Sequence, residues 1–147
     1  IYHFSNQTNM GTLWRSAFVL NASFIYTVGK PYQFQGSDVY KTWSKIPLYH
    51  YEDILDLKKN LPYSTQLIGI ELTEEAQRLQ DFHHPDRAVY LLGSEIHGLP
   101  DVVLNACHRK VKLPGSHSLN VASTGSIVMY DRLAKTQASS IPENPAK

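Results

Sequence analysis

Three polar clusters carry the side chains able to do chemistry. Residues 6–15 (NQTNMGTLWR) read as a turn entering a helix, with Arg15 one turn inside. A guanidinium offers a planar fork to phosphate or carboxylate, and the amides of a helix N-terminus favour the same anion. A capped helix with an exposed arginine is the plainer alternative. Residues 91–100 (LLGSEIHGLP) hold Gly93 and Gly98, which permit a tight turn and close approach of backbone to a ligand. Glu95 between them is an acceptor able to hold a loop or a partner chain, although a simple connector would look similar. Residues 112–131 (KLPGSHSLNVASTGSIVMYD) break a strand at Pro114 and Gly115 and open a helix near Ser118 and Asn120. Both side chains can hydrogen-bond at a helix start, where a serine N-cap is the bland reading.

Several chemistries are disfavoured by spacing. No Gly-Lys-Ser/Thr follows Gly98, and the three-glycine dinucleotide pattern is absent. His117 beside Ser118 is not a hydrolase signature, because triad partners are rarely sequence neighbours and no G-x-S-x-G elbow occurs. His83, His84 and Asp86 precede a strand-like run, where adjacent side chains point to opposite faces. Without H-x-x-x-H or C-x-x-C spacing no metal site is expected, and residues 83–86 read as a solvated turn.

The elements that must position these clusters alternate. Residues 1–4 look like the end of a strand, Asn9 the cap of a helix to about Asn21 with Leu13, Ala17 and Leu20 buried, and residues 24–28 a short strand. A long aromatic and polar loop over 30–46 is followed by a brief strand at 48–51 and a helix over 52–60. Residues 67–70 and 88–92 are short apolar runs, the mark of strands covered on both faces. A short helix over 101–107, a strand at 110–113 and a helix over 120–134 complete the series. The expected fold is α/β, a mainly parallel sheet with helices on both faces. One domain over 1–135 is expected, with 136–147 a disordered tail containing Pro142 and Pro145.

Composition sets outer bounds. In 147 residues, 42% are hydrophobic and 18% charged, typical of a globular chain rather than a disordered one. The longest apolar runs fall well short of a membrane span, and the lone Cys107 leaves no internal disulfide, so a cytoplasmic protein is expected. A formal net charge of +1 gives no electrostatic footprint for a polyanion.

Taken in order, the three clusters resemble the motifs of the SpoU (TrmH-like) RNA 2′-O-methyltransferases of the SPOUT superfamily. They read N-x-G-x-x-x-R (Asn9, Gly11, Arg15), G-x-E-x-x-G-L (Gly93, Glu95, Gly98, Leu99), and Leu113-Pro114 followed by Ser118-Leu119-Asn120-Val121. The match runs over about residues 1–134. Two departures are Ile96, often glycine in that family, and Asn6-Gln7, often asparagine-proline. The resemblance implies a C-terminal trefoil knot, which chain-topology rules alone would not suggest. It implies S-adenosylmethionine as methyl donor, with S-adenosylhomocysteine as product. The donor would be held by Ile70 and Glu71, by Leu92, Gly93, Glu95 and Gly98, and by Leu113, Ser118, Leu119 and Asn120. It implies a homodimer in which Arg15 of one chain faces the donor site of the other, and an RNA substrate, tRNA or rRNA.

Arg15 matches the residue assigned as base in that family, with Asn120 and Ser118 as further catalytic candidates. Holding a guanidinium neutral near pH 7 costs about 7–9 kcal/mol, so aligning a phosphate or stabilising a developing alkoxide as a cation is easier. For RNA contacts the candidates are Asn9, Arg15, Lys41, Trp43 and Lys45. The 30–45 loop interleaves Tyr32, Phe34, Tyr40 and Trp43 with lysines, either to stack a nucleotide or to pack onto the domain. The absence of an evident appended RNA-binding domain leans towards a small target such as tRNA. The chief rival is a catalytically silent SPOUT domain serving as an RNA-binding or assembly module.

Overall fold

A computed structural model describes residues 1–33 and 41–140, with the side chains of 138–140 left aside. The elements run α1 (Gln7–Val19), β1 (Ile25–Val28), β2 (Leu48–Tyr51), α2 (Ile54–Lys59), β3 (Gln66–Ile70), β4 (Gln77–Arg78), β5 (Ala88–Leu92), α3 (Asp101–Ala106), β6 (Arg109–Lys112) and α4 (Val121–Ser140). Among the described residues every pair of these strands is parallel. One sheet has the order β4-β6-β3-β5 and a second pairs β1 with β2. The first residues join the two. Tyr2 N donates to Leu92 O at 2.8 Å, and His3 N donates to Val28 O at 2.9 Å. Residues 1–4 thus sit between β5 and β1 as a bridge rather than a named strand.

The short apolar runs behave as expected of strands covered on both faces. On β3, Ile68 and Ile70 join a core with Met10, Leu13 and Ala17 of α1 and Val121, Ala122 and Val128 of α4. Leu67, with Val89 and Leu91 of β5, faces the opposite core beside Leu57 of α2 and Val103 and Leu104 of α3. Helices therefore cover both faces. Trp14 replaces Leu20 as a main apolar anchor of α1, Leu20 being only half-buried.

Local boundaries differ from expectation in three places. α1 is capped by Asn6, whose side chain accepts from Thr8 N at 2.8 Å. Asn9 lies inside the first turn, its side chain used elsewhere. α4 runs on to Ser140, past the expected helix end at 134, and residues 141–147 lie outside the described residues. Lys135 Nζ helps hold that end by donating to Leu79 O at 2.7 Å and Phe82 O at 3.1 Å. Residues 83–86, expected as a solvated turn, are solvated only at His83 and Asp86. The His84 side chain is buried, with Nδ1 2.6 Å from the Tyr90 hydroxyl and Nε2 2.8 Å from Asp131 Oδ2. Arg132 donates to Pro85 O at 2.7 Å and Asp86 O at 2.8 Å. Residues 79–86 are thereby clasped to α4.

Candidate functional site

Strand order creates the site. In the order β4-β6-β3-β5 the central β3 is flanked by parallel β5 and β6, so the loops after these three strands leave the same sheet edge side by side. Crevices at the carboxyl ends of parallel strands, where strand order reverses, are the usual ligand position in α/β sheets. Here the crevice is a cavity of about 460 Å³. Ile70, ending β3, and Glu71 after it, Leu92, ending β5, and Gly93, Glu95 and Gly98 after it, and Leu113, Ser118, Leu119 and Asn120 after β6 all line it. All ten residues singled out in sequence for one ligand thus meet in one cavity. His97, His117 and Thr124 line it as well, and no sequence motif had marked them.

The turn after β5 is shaped by backbone contact. Ser94 and Gly98 form an antiparallel bridge, with Gly98 N donating to Ser94 O at 2.9 Å. A β-carbon on Gly93 would lie 2.3 Å from the Gly98 carbonyl carbon. Gly98 adopts φ +62°, and a β-carbon there would lie 2.5 Å from Glu71 Oε2. That carboxylate is spent on the loops: it accepts from Leu99 N at 2.8 Å and from Leu72 N at 2.9 Å. Glu71 therefore ties the first cavity loop to the second.

A second set of bonds joins the three motifs. Glu95 Oε2 accepts from the Ser5 amide at 3.0 Å and from the Ser5 hydroxyl, while Oε1 accepts from Asn9 Nδ2 at 2.6 Å. Asn120 Nδ2 donates to Asn9 Oδ1 at 3.0 Å. Asn120 Oδ1 then accepts from Ala122 N at 2.9 Å and Ser123 N at 3.3 Å, capping α4. The cap is Asn120, not a serine. Ser118 makes no hydrogen bond among the described residues, so its hydroxyl is available to a ligand. Burial pushes the Glu95 carboxyl up, but the bonds from Ser5 and Asn9 outweigh it and hold the group below its ordinary value. The sequence had marked Glu95 as an acceptor for a loop or a partner chain without finding Ser5, which lies 90 residues away.

Arg15 is on the exposed face of α1 and is not among the residues that line the cavity. Lys41, Trp43 and Lys45 lie in the segment around a short 3-10 turn at Thr42–Ser44. That segment is anchored to α1 by buried Thr42 and by Trp14 Nε1, which donates to Ile46 O at 3.3 Å, while Trp43 stays 52% exposed. Tyr32 packs edge-on against Trp14 and beside Phe4, so this aromatic serves the domain itself. Phe34 and Tyr40 lie outside the described residues. Among the described residues no cluster of three metal-ligating side chains occurs, and no helix is long and apolar enough to cross a membrane.

A family model described as the SpoU rRNA Methylase family matches residues 1–130. No curated protein matches the sequence. Among solved structures, one concerned with the 2-OH methylation of C/U34 on tRNA is 20% identical, covers 93% of each chain and superposes with a TM-score of 0.79. A TrmH/SpoU tRNA modifying enzyme of A. aeolicus is 14% identical over 94% of this chain and 74% of its own, with a TM-score of 0.84. The SpoU methyltransferase AviRb of Streptomyces viridochromogenes, in complex with AdoMet, is 18% identical with a TM-score of 0.80. This chain spans 93% of itself but 56% of that protein's length. At these identities the three establish a shared fold.

Proposed function

This chain belongs to the SpoU rRNA methylase family, and on that premise we propose that it methylates a ribose 2′-hydroxyl of tRNA or rRNA with S-adenosylmethionine. The observation that carries this reading is the convergence of the second and third motifs on one cavity at the carboxyl edge of the parallel sheet, with Asn9 of the first motif bonded to both. The cavity suits the donor. Its volume falls within the usual range of about 300–1,000 Å³ for small-molecule sites. Its charged lining residues are the carboxylates Glu71 and Glu95, without a lysine or arginine among the described ones, which favours a cationic guest. The close Gly93–Gly98 approach leaves backbone groups, rather than side chains, to shape one wall.

S-adenosylmethionine supplies a methyl group already activated on a sulfonium. The protein's remaining work is to align the ribose hydroxyl and ease loss of its proton. We assign Asn120 and Ser118, which line the cavity from the third loop, to orienting the ribose or the donor. The cation for the developing alkoxide or its adjacent phosphate is Arg15 of the partner subunit in a homodimer. Support for that assembly comes from exposed Phe18 and Val19 on α1 and exposed Ile127 and Tyr130 on α4, helices that pack along one another. Lys41, Trp43 and Lys45, carried on a segment anchored to α1, would hold the RNA.

The primary test is nucleoside mass spectrometry of tRNA and of rRNA incubated with protein and donor. A new 2′-O-methyl nucleoside is expected in one of them, and its absence from both refutes the reading. Calorimetry with S-adenosylmethionine separates an enzyme from a silent module, which would not bind it. Arg15→Ala should abolish turnover with donor affinity intact, whereas Arg15→Lys keeps some activity if charge alone matters. Mixing inactive Arg15→Ala and Asn120→Ala chains should restore part of the activity. No recovery, with hybrid dimers verified, would refute a shared site.

A further inference from the structure

We propose that Ser5 is a positioning residue: acting through Glu95 and Asn9, it sets the orientation of the Asn120 amide at the methyl-transfer site. The inference rests on the function proposed above but is carried by a different observation, the continuous bond chain from Ser5 to the start of α4.

The chain has one consistent polarity. An ionised carboxylate only accepts, so Glu95 requires Asn9 to turn its Nδ2 inward. The Asn9 carbonyl oxygen then faces Asn120, which must answer with its own Nδ2. At the far end the amides of Ala122 and Ser123 can only donate, so they require the Asn120 oxygen. Both ends impose the same arrangement. One Asn120 N–H is thereby committed to Asn9, which leaves the second for the cavity that this residue lines.

The first link decides how firmly this holds. Glu95 is an exposed, flexible side chain on the loop after β5, and such a side chain loses substantial rotamer freedom when fixed. Ser5 fixes it with two donors on the same oxygen, the backbone amide and the hydroxyl. Bonds to a charged acceptor are the strong ones, so the hydroxyl contributes to holding Glu95 both in place and ionised. Ser5 also immediately precedes Asn6, the cap of α1. The tie therefore locks the helix that carries Arg15 to a loop of the cavity. Ser5 itself is outside the cavity lining.

The test compares wild type, Ser5→Ala and Ser5→Thr in the full-length protein by two measurements. The first is an NMR pH titration of the Asn120 side-chain amide, assigned by its loss in Asn120→Asp. The second is the pH profile of kcat, with donor Kd from calorimetry. Removing one charge-assisted donor should move the acid midpoint sensed at Asn120 up by about one pH unit. The acid limb of kcat should move up with it. At neutral pH kcat should fall about fivefold, a barrier change of about 1 kcal/mol, while donor Kd changes less than about twofold. Ser5→Thr restores the hydroxyl and both readouts. An Asn120 amide indifferent to Ser5→Ala overturns the proposal, as does a kcat profile that stays put while the amide signal moves. If the wild-type protein methylates no RNA, the proposed function fails separately, and the amide titration alone decides whether Ser5 orients Asn120.

Discussion

Gly93→Ala isolates what close backbone approach contributes to the cavity. Gly93 does not have positive φ, so alanine adds no backbone strain of its own and the effect is purely one of space. The new β-carbon would lie 2.3 Å from the Gly98 carbonyl carbon and 2.7 Å from both Gly98 Cα and Leu99 N. All three are backbone atoms, which cannot rotate away. Ordinary contact begins near 3.4 Å, so the two sides of the turn must part by about 1 Å. The bond from Ser94 N to Gly98 O is already 3.3 Å and would break, and the 2.9 Å bond from Gly98 N to Ser94 O would be stretched past useful length. At about 0.5–1.5 kcal/mol net for each bond, the distortion costs about 1–3 kcal/mol. Leu92 stays in the core, so the cost falls on the loop rather than the sheet. A donor that needs the closed turn must recover that energy on binding, which weakens affinity about 5- to 150-fold. Calorimetry with S-adenosylhomocysteine measures this directly, with thermal unfolding as the check on global stability. Wild-type affinity in a folded Gly93→Ala protein would show that the Gly93–Gly98 approach does not shape the donor site.

Two further changes separate structural from chemical roles. Asn120→Asp keeps an acceptor to cap α4, since aspartate caps as well as asparagine, but loses the amide that donates to Asn9. Its thermal midpoint should stay near wild type while single-turnover rate falls at least tenfold; a fully active variant would remove Asn120 from the site. Burial holds the His84 imidazole below its ordinary value against the pull of Asp131, with Lys135 and Arg132 pushing the same way as burial. The unfolded chain then binds the proton more readily, so stability is greatest above about pH 6.5 and falls as pH drops towards the lowered folded value, by at most about 1.4 kcal/mol per unit. Urea unfolding at pH 7 and 5.5 should show a smaller acid loss in His84→Gln than in wild type, and equal losses would contradict the assignment.

What could be read from the sequence depended on the range of the interaction that fixes each feature. The apolar runs at 67–70 and 88–92 declare buried parallel strands because neighbouring residues alone carry that pattern, and the three motifs could be placed at strand ends for the same reason. The dipeptide strand β4 is polar and two residues long, so no periodicity could mark it; its pairing with Val111 and Lys112 is imposed by β6. His84 illustrates the same limit. Polar neighbours in His83-His84-Pro85-Asp86 suggest a wet turn, yet Tyr90 and Asp131 supply partners and remove the side chain from water.

The choice between Asn6 and Asn9 shows how this limit bears on function. Either asparagine suits a cap by type, and only a demand on Asn9 from elsewhere excludes it. That demand comes from Glu95 and Asn120, 86 and 111 residues further along. Because Asn6 takes the cap, the Asn9 amide is left to join two loops of the cavity to the helix bearing Arg15. A substitution at Asn6 should consequently act on α1 stability, whereas one at Asn9 should leave the cap intact and disturb the cavity. The two asparagines, three positions apart, thus divide the tasks of starting a helix and positioning a site, a division their shared residue type conceals.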